Sequence, residues 1–152
     1  CCALGMNHME AEEIGFFSSM HDVGKIHIPD YILQKNGKLT EKEYLIMKTH
    51  TLAGERIIGD SKFYTIARQV ARHHHERWDG RGYPDRLSGE HIPLPARVVS
   101  VVDVFDALIH ERPYKEAWPK EKAITEIVSL SGKAFDPRVV DAFLKVTDCP
   151  LA

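Results

Sequence analysis

The chain has 152 residues, 43% of them hydrophobic, and a formal net charge of −2. That length and apolar content suit one globular domain, residues 1–152, and the near-neutral charge leaves no general basic footprint for duplex nucleic acid. No apolar run approaches a membrane span and no signal peptide is expected, while Cys1, Cys2 and Cys149 form neither a disulfide framework nor a paired zinc pattern. A cytoplasmic protein with reduced thiols is therefore expected. The residue in unusual supply is histidine, with nine copies. The opening Cys1-Cys2-Ala3-Leu4-Gly5 lacks an initiator Met and is already apolar, as expected for a piece of something longer.

In chain order, Ile14, Phe16, Phe17 and Met20 among Glu10, Glu12 and Glu13 predict a helix from about Met9 to Met20, with Gly24 ending it. His21 and Asp22 stand side by side at its end. Residues 25–38, with Pro29 and Asn36-Gly37, predict a long ordered loop. Thr40 and Glu43 form a capping box, and the helix it opens is expected to carry Tyr44, Met47, Ile57 and Ile58, with His50 in its middle. After Gly59-Asp60-Ser61 the next helix runs to about His75. Its Ala67, Val70, Ala71 and His74 recur at i, i+3, i+4 and i+7, which puts His74 on the core stripe, with His75 following it around the helix.

From Glu76 to Pro93 the chain reads as loop. Asp79-Gly80-Arg81-Gly82-Tyr83-Pro84 packs two glycines, a proline and an aromatic residue into six positions. Pro95 then opens a helix through Leu108 that is apolar nearly all round, with Asp103 inside it. Arg112 and Lys115 flank a Pro-Tyr turn and either project to one side or are ordinary solvated cations. Pro119 opens another helix, ended by Gly132, and Asp136-Pro137 caps the last one.

His21, Asp22, His50, His74, His75 and Asp103 thus lie on, or at the ends of, predicted helices with apolar faces. Bland alternatives stand beside two of these groups: His21-Asp22 as a helix-end pair partly in solvent, and His73-His74-His75 as a solvated helix end where the dipole favours cations. Together the candidates form an imidazole and carboxylate set that suits iron, manganese or zinc rather than the all-oxygen shell of calcium. Six protein ligands are too many for one open site but suit two metals sharing a carboxylate, an arrangement that hydrolyses phosphate esters.

The blocks His21-Asp22-Val23-Gly24-Lys25-Ile26-His27-Ile28-Pro29-Asp30, Met47-Lys48-Thr49-His50, His74-His75-Glu76-Arg77-Trp78-Asp79-Gly80-Arg81-Gly82-Tyr83-Pro84, Asp103-Val104-Phe105-Asp106-Ala107-Leu108 and Arg112-Pro113-Tyr114-Lys115 resemble an HD-GYP domain, in order and over nearly the whole chain. The resemblance implies an all-α, HD-superfamily helical bundle with extra C-terminal helices. It also implies a bacterial signalling enzyme, a phosphodiesterase that opens cyclic di-GMP to linear pGpG and onward to GMP. Two divalent ions are expected here and three in a complete domain, iron or manganese first, zinc or nickel as alternatives.

By matching position, the resemblance makes Asp22 the bridging carboxylate. His50, His74 and His75 would hold one metal, and His21 with Asp103 would serve the neighbouring one. Lys25 would touch the scissile phosphate, with Asp22 and Lys25 as the catalytic pair. Arg112 and Lys115 would hold the phosphates and guanine of the ligand, and Tyr83 would border the substrate groove. The resemblance also makes the Gly82-Tyr83-Pro84 loop an expected docking surface for a diguanylate cyclase or other signalling domains.

His27, Asn36 and Ile109-His110 depart from the family pattern at peripheral positions. The family's N-terminal helix, with a further His, is not matched, and His8 is not assigned to its place. Its lack would leave apolar surface around Phe16 and Phe17 uncovered and favour a homodimer. The alternative to an enzyme is a module that binds a cyclic dinucleotide or a protein partner without turnover.

Overall fold

The computed structural model describes residues 2–111 and 116–147. The regular secondary structure of the described residues is all helical, without a β-strand beyond an isolated bridge between Ser131 and Phe135. Eight α-helices follow in order: α1 (His8–Ser18), α2 (Asp30–Leu33), α3 (Glu41–Lys48), α4 (His50–Ile58), α5 (Thr65–His73), α6 (Leu94–Ile109), α7 (Lys120–Ser129) and α8 (Pro137–Thr147). Short 3-10 turns stand at Val23–His27, Lys62–Tyr64 and Gly89–His91. None of the described helices is long and apolar enough to cross a membrane.

Helix α5 packs against α4, α1 and α6, and α7 and α8 close on α6. The predicted α5 stripe holds, since Ala67, Val70 and Ala71 are fully buried and His74 follows at 1% exposure. One core layer joins Ile14, Val70 and Val99. A second joins Val101, Ile127, Phe135, Val139 and Val140 across α6, α7 and α8. The ends of α6 and α8 are tied by a buried ion pair in which Arg97 donates to Asp136 Oδ2 at 2.7 Å, while Asp136 Oδ1 accepts from the Arg138 amide at 2.8 Å and caps α8.

Several expected boundaries move, each for a local reason. Helix α1 stops at Ser18, where the hydroxyls of Ser18 and Ser19 bond back to the carbonyls of Gly15 and Phe16. Gly24 therefore does not end that helix. It is buried in the following 3-10 turn, where a Cβ would lie 1.9 Å from the His50 carbonyl oxygen and 2.4 Å from the Gly54 amide nitrogen. Only glycine lets this turn lie flush on α4.

The expected loop after Lys25 contains the short helix α2, opened behind Pro29 with Asp30 in its first turn. The single helix expected after Thr40 is two. The capping box is present, but the chain breaks at Thr49, whose hydroxyl bonds the Ile46 carbonyl at 2.7 Å, so His50 opens α4 instead of lying mid-helix. Helix α6 is not apolar all round either: Val102 is half exposed and Asp106 lies in solvent. Of the pair expected to be uncovered, Phe16 is exposed, whereas Phe17 is buried against Phe63 and Tyr64.

Candidate metal centre

His21 and Asp22 occupy the turn between α1 and the Val23–His27 segment, His50 starts α4, His74 caps α5, His75 follows it, and Asp103 lies on α6. The close approach of Gly24 to α4 carries Asp22 up to His50. Gly54 lies one helical turn after His50, and a Cβ there would already touch the Ala71 methyl at 3.3 Å, so α4 is also drawn onto α5 and His74. Folding thus gathers four elements around one point.

Ligand atoms of Asp22, His50, His74 and His75 all lie within 4.8 Å of one another. His50 Nε2 is 3.5 Å from His74 Nε2, and Asp22 Oδ1 is 3.5 Å from the first and 3.8 Å from the second. His21 Nε2 lies between Asp22 Oδ2 at 3.3 Å and Asp103 Oδ1 at 3.6 Å. All six residues expected at the centre are therefore neighbours, and Asp22 stands between the two groups. His8 is elsewhere, exposed and paired with Glu12.

The ring orientations bear on what this cluster can hold. Nδ1 of His21, His50 and His74 sits 2.7, 2.7 and 2.9 Å from the carbonyl oxygens of Ser18, Met47 and Val70. A carbonyl only accepts, so each Nδ1 carries a proton and donates it; in His50 and His74 this leaves the Nε2 lone pair of a neutral ring aimed at the cluster, whereas His21 Nε2 faces the carboxylates of Asp22 and Asp103. Burial pushes His74 and His75 down to about 4 and about 3, helped by neighbouring imidazoles, and burial lowers His50 as well. These rings are neutral near pH 7.

Burial alone would raise Asp22, but hydrogen bonds from His21 and Lys25 outweigh it and hold the carboxyl well below the usual carboxylate range. The same competition, burial against the His21 bond, leaves Asp103 lowered. The bonds to Asp103 and Asp22 raise His21 to about 10.

Asp22 Oδ1 is buried with no hydrogen-bond donor. An orphaned carboxylate oxygen and two imidazole lone pairs facing one another at 3.5–3.8 Å repel unless a cation lies among them. The cluster therefore fits a divalent metal of the nitrogen- and oxygen-binding kind, and can hold one at Asp22, His50, His74 and His75.

A groove of about 740 Å³ opens beside the cluster, with Lys25, His50, His74, His75, Tyr83 and Asp103 on its wall. Lys25 donates to Asp22 Oδ2 and is part exposed. Tyr83 stacks on His75, centroids 4.9 Å apart and planes at 28°. The loop that presents it is held from below: Gly82 lies so close to Glu76 and Arg77 that a Cβ would come within 2.4 Å of the Arg77 amide, and the buried Glu76 carboxylate accepts from the Asp85 amide at 2.7 Å. Arg112 and Lys115 lie outside the described residues.

Other residues of the groove carried no functional expectation. Tyr44 packs edge-on against Tyr83, and Ser100, Leu130, Ala134 and Phe135 also lie on the wall. Glu76 stood in a quoted motif, with its role as anchor of the loop unrecognised. An acidic residue directly after two clustered histidines and before a glycine-rich loop is the signal that could have found it; the apolar wall residues carry none.

Residues 1–139 match the family model described as HD domain. The chain is 49% identical over 144 residues to the cyclic di-GMP phosphodiesterase response regulator RpfG of Xanthomonas campestris pv. campestris, covering 93% of this chain and 38% of that protein. It is 48% identical over 145 residues to a cyclic di-GMP phosphodiesterase of Thermotoga maritima, covering 94% of this chain and 39% of that protein. A 3'3'-cGAMP-specific phosphodiesterase of Vibrio cholerae serotype O1 is 42% identical over 146 residues, which is 95% of this chain and 28% of the relative. The chain thus spans less than two fifths of the length of these curated relatives. A solved structure of a cyclic GMP-AMP specific phosphodiesterase of V. cholerae shares the fold, with a TM-score of 0.68 at 21% identity over 95% of this chain and 40% of that one. With its clustered histidines and aspartates supplied by the matched segment, the chain belongs to the HD domain family.

Proposed function

We propose that this chain is the catalytic domain of a metal-dependent phosphodiesterase that hydrolyses cyclic di-GMP to linear pGpG, with GMP as the product of a second cleavage, in bacterial second-messenger signalling. The observation that carries the reading is the convergence of Asp22 Oδ1 with the lone-pair nitrogens of His50 and His74, beside a groove large enough for a nucleotide. Relatives named for cyclic di-GMP and for 3'3'-cGAMP support cyclic dinucleotides as the substrate class, and the two at 48–49% identity support cyclic di-GMP first.

Asp22, His50, His74 and His75 would hold one divalent metal, and His21 and Asp103 would serve a second. Iron or manganese fits this donor set first, with zinc and nickel as alternatives. A bound divalent metal supplies Lewis acidity, which eases deprotonation of water and neutralises charge at phosphorus. In the overall reaction water adds to phosphorus, the bond from phosphorus to the ribose 3′ oxygen breaks, and that oxygen leaves with a proton.

Lys25 lines the groove next to Asp22 and stabilises the charge that develops on the phosphoryl oxygens. Tyr83 offers a ring face against which the ligand packs. Arg112 and Lys115 are assigned to the ligand's phosphates and guanine by their matching positions alone.

Incubating metal-loaded protein with cyclic di-GMP and separating the products by chromatography tests the reading. Linear pGpG is the expected product. Binding of cyclic di-GMP without any cleavage by fully metal-loaded protein would instead support the non-hydrolysing binding module.

A further inference from the structure

The loop that presents Tyr83 has a second side. Behind it lies a separate cavity of about 540 Å³, between the loop and the junction of α3 with α4. Lys48, Arg81 and Arg86 line it together with Leu45, Leu52 and Tyr83, and none of its lining residues is acidic. Tyr83 is the partition, since it also lines the groove at the metal centre and stacks on His75.

The charges here are distributed unevenly. Two aspartates of the same loop are engaged: Asp79 by two nitrogens of the Arg77 guanidinium, and Asp85 by Arg72 at 2.7 and 2.8 Å and by His73 at 3.0 Å. Glu55, on the neighbouring helix, is taken by Arg72. Lys48, Arg81 and Arg86, by contrast, make no ion pair among the described residues. The Lys48 ammonium instead stands 4.6 Å from the ring centre of Tyr44 and 5.0 Å from that of Tyr83. Arg86 is the one non-glycine residue at positive φ among those described, at 56°, a conformation that costs energy for a side chain with a Cβ.

Three cations without an ion pair around one concavity, in a chain whose net charge is −2, form a local anion trap. The apolar wall of Leu45 and Leu52 gives it a second character. We infer that this cavity is a second binding site, for a phosphate monoester carried on a compact apolar or planar body, the chemical class of a nucleoside monophosphate. Guanidinium groups suit a terminal phosphate, which has three oxygens to share, better than the singly charged diester phosphate of a cyclic dinucleotide. The inference goes beyond the hydrolytic reading and does not need it, because the proposed ligand meets no residue of the metal cluster.

Nuclear magnetic resonance of the ¹⁵N-labelled, zinc-loaded chain tests it, with the amides of Gly80 and Gly82 as reporters. Titrated separately with 5′-GMP, inorganic phosphate and guanosine, the protein is expected to show saturable shifts at these two amides, strongest with GMP. The double variant Arg81→Gln/Arg86→Gln should weaken GMP binding by about tenfold or more. Lys48→Met, on a different element, should weaken it independently, and Lys25→Ala in the neighbouring groove should leave it unchanged. Bound zinc should stay equal across the variants, which separates loss of the cavity from loss of the fold. Absence of saturable shifts, an unchanged affinity in the double variant, loss of binding in Lys25→Ala, or equal affinity for phosphate and GMP would overturn the assignment.

Discussion

Replacing Gly24 by alanine should disable the metal centre without touching a ligand. The added Cβ would lie 1.9 Å from the His50 carbonyl oxygen, 2.4 Å from the Gly54 nitrogen and 2.9 Å from the Gly54 Cα. All three are backbone atoms, so no side chain can rotate aside. Overpacking in a closed interior costs roughly 1–3 kcal/mol, and an overlap of this depth against backbone belongs at or above the top of that range. The gain from a stiffer unfolded chain, about 0.4–1 kcal/mol, is too small to offset it. A net loss of about 2 kcal/mol or more is expected in urea unfolding.

Relief of that clash must move the 3-10 turn and α4 apart, and with them Asp22 and His50. Bound metal should therefore fall together with stability. Gly15→Ala supplies the control: nothing lies within 4 Å of its added Cβ and the site is mid-helix, so a gain of about 0.5–1 kcal/mol with unchanged metal is expected. Gly24→Ala at parental stability with full metal would refute the close-packing account.

Asp22→Ala should lose most bound metal and hydrolysis together, whereas Lys25→Ala should keep its metal and lose turnover; elemental analysis beside product chromatography separates the two. Arg97→Ala strands the Asp136 carboxylate, only 1% exposed, and should cost about 3 kcal/mol or more in chemical denaturation. Glu43, lowered from its ordinary 4.5 to about 2 by its bond to Lys35 and then by those to Thr40, contributes stability that is present above pH 4.5 and lost as pH falls through 2. The difference in melting temperature between Glu43→Gln and the parent should accordingly shrink over that window. Arg112→Ala should weaken cyclic di-GMP binding more than Lys115→Ala does, by calorimetry, because a guanidinium engages two acceptors in one plane.

What could be read in the sequence was what short-range chemistry dictates. The Thr40 and Glu43 box is formed, the Ala67, Val70 and Ala71 stripe is buried, and Asp136 caps α8, because each depends on residues within two turns of itself. The break at Thr49 was not legible, since a threonine hydroxyl bonding back one turn is equally at home inside a helix. Gly24 read as a helix stop because its true reason, the His50 carbonyl, is 26 positions away. The far wall of the groove, from Leu130 to Phe135, likewise has no local mark; it is set by how the connection between α7 and α8 folds back to pair Trp78 with Ala134 and Asp79 with Lys133.

The centre itself divides along the same line. Orientation of the imidazoles is local: His21, His50 and His74 each send Nδ1 to a carbonyl three or four residues earlier, at the end of the helical turn that delivers them. These carbonyls already accept backbone amides, Ser18 from His21 at 3.2 Å and Val70 from His74 at 3.1 Å, and the ring takes the second lone pair, a bond that turns Nε2 outward. Convergence of those nitrogens is tertiary and rests on residues with almost no side chain, Gly24 and Gly54 between the turn and α4, and Ala71 between α4 and α5. The ligands can thus be correctly aimed one by one and still fail to form a site. On this reasoning, bulk at a glycine contact should be more damaging to metal affinity than loss of any single carbonyl acceptor, because the first separates two elements and the second frees only one ring.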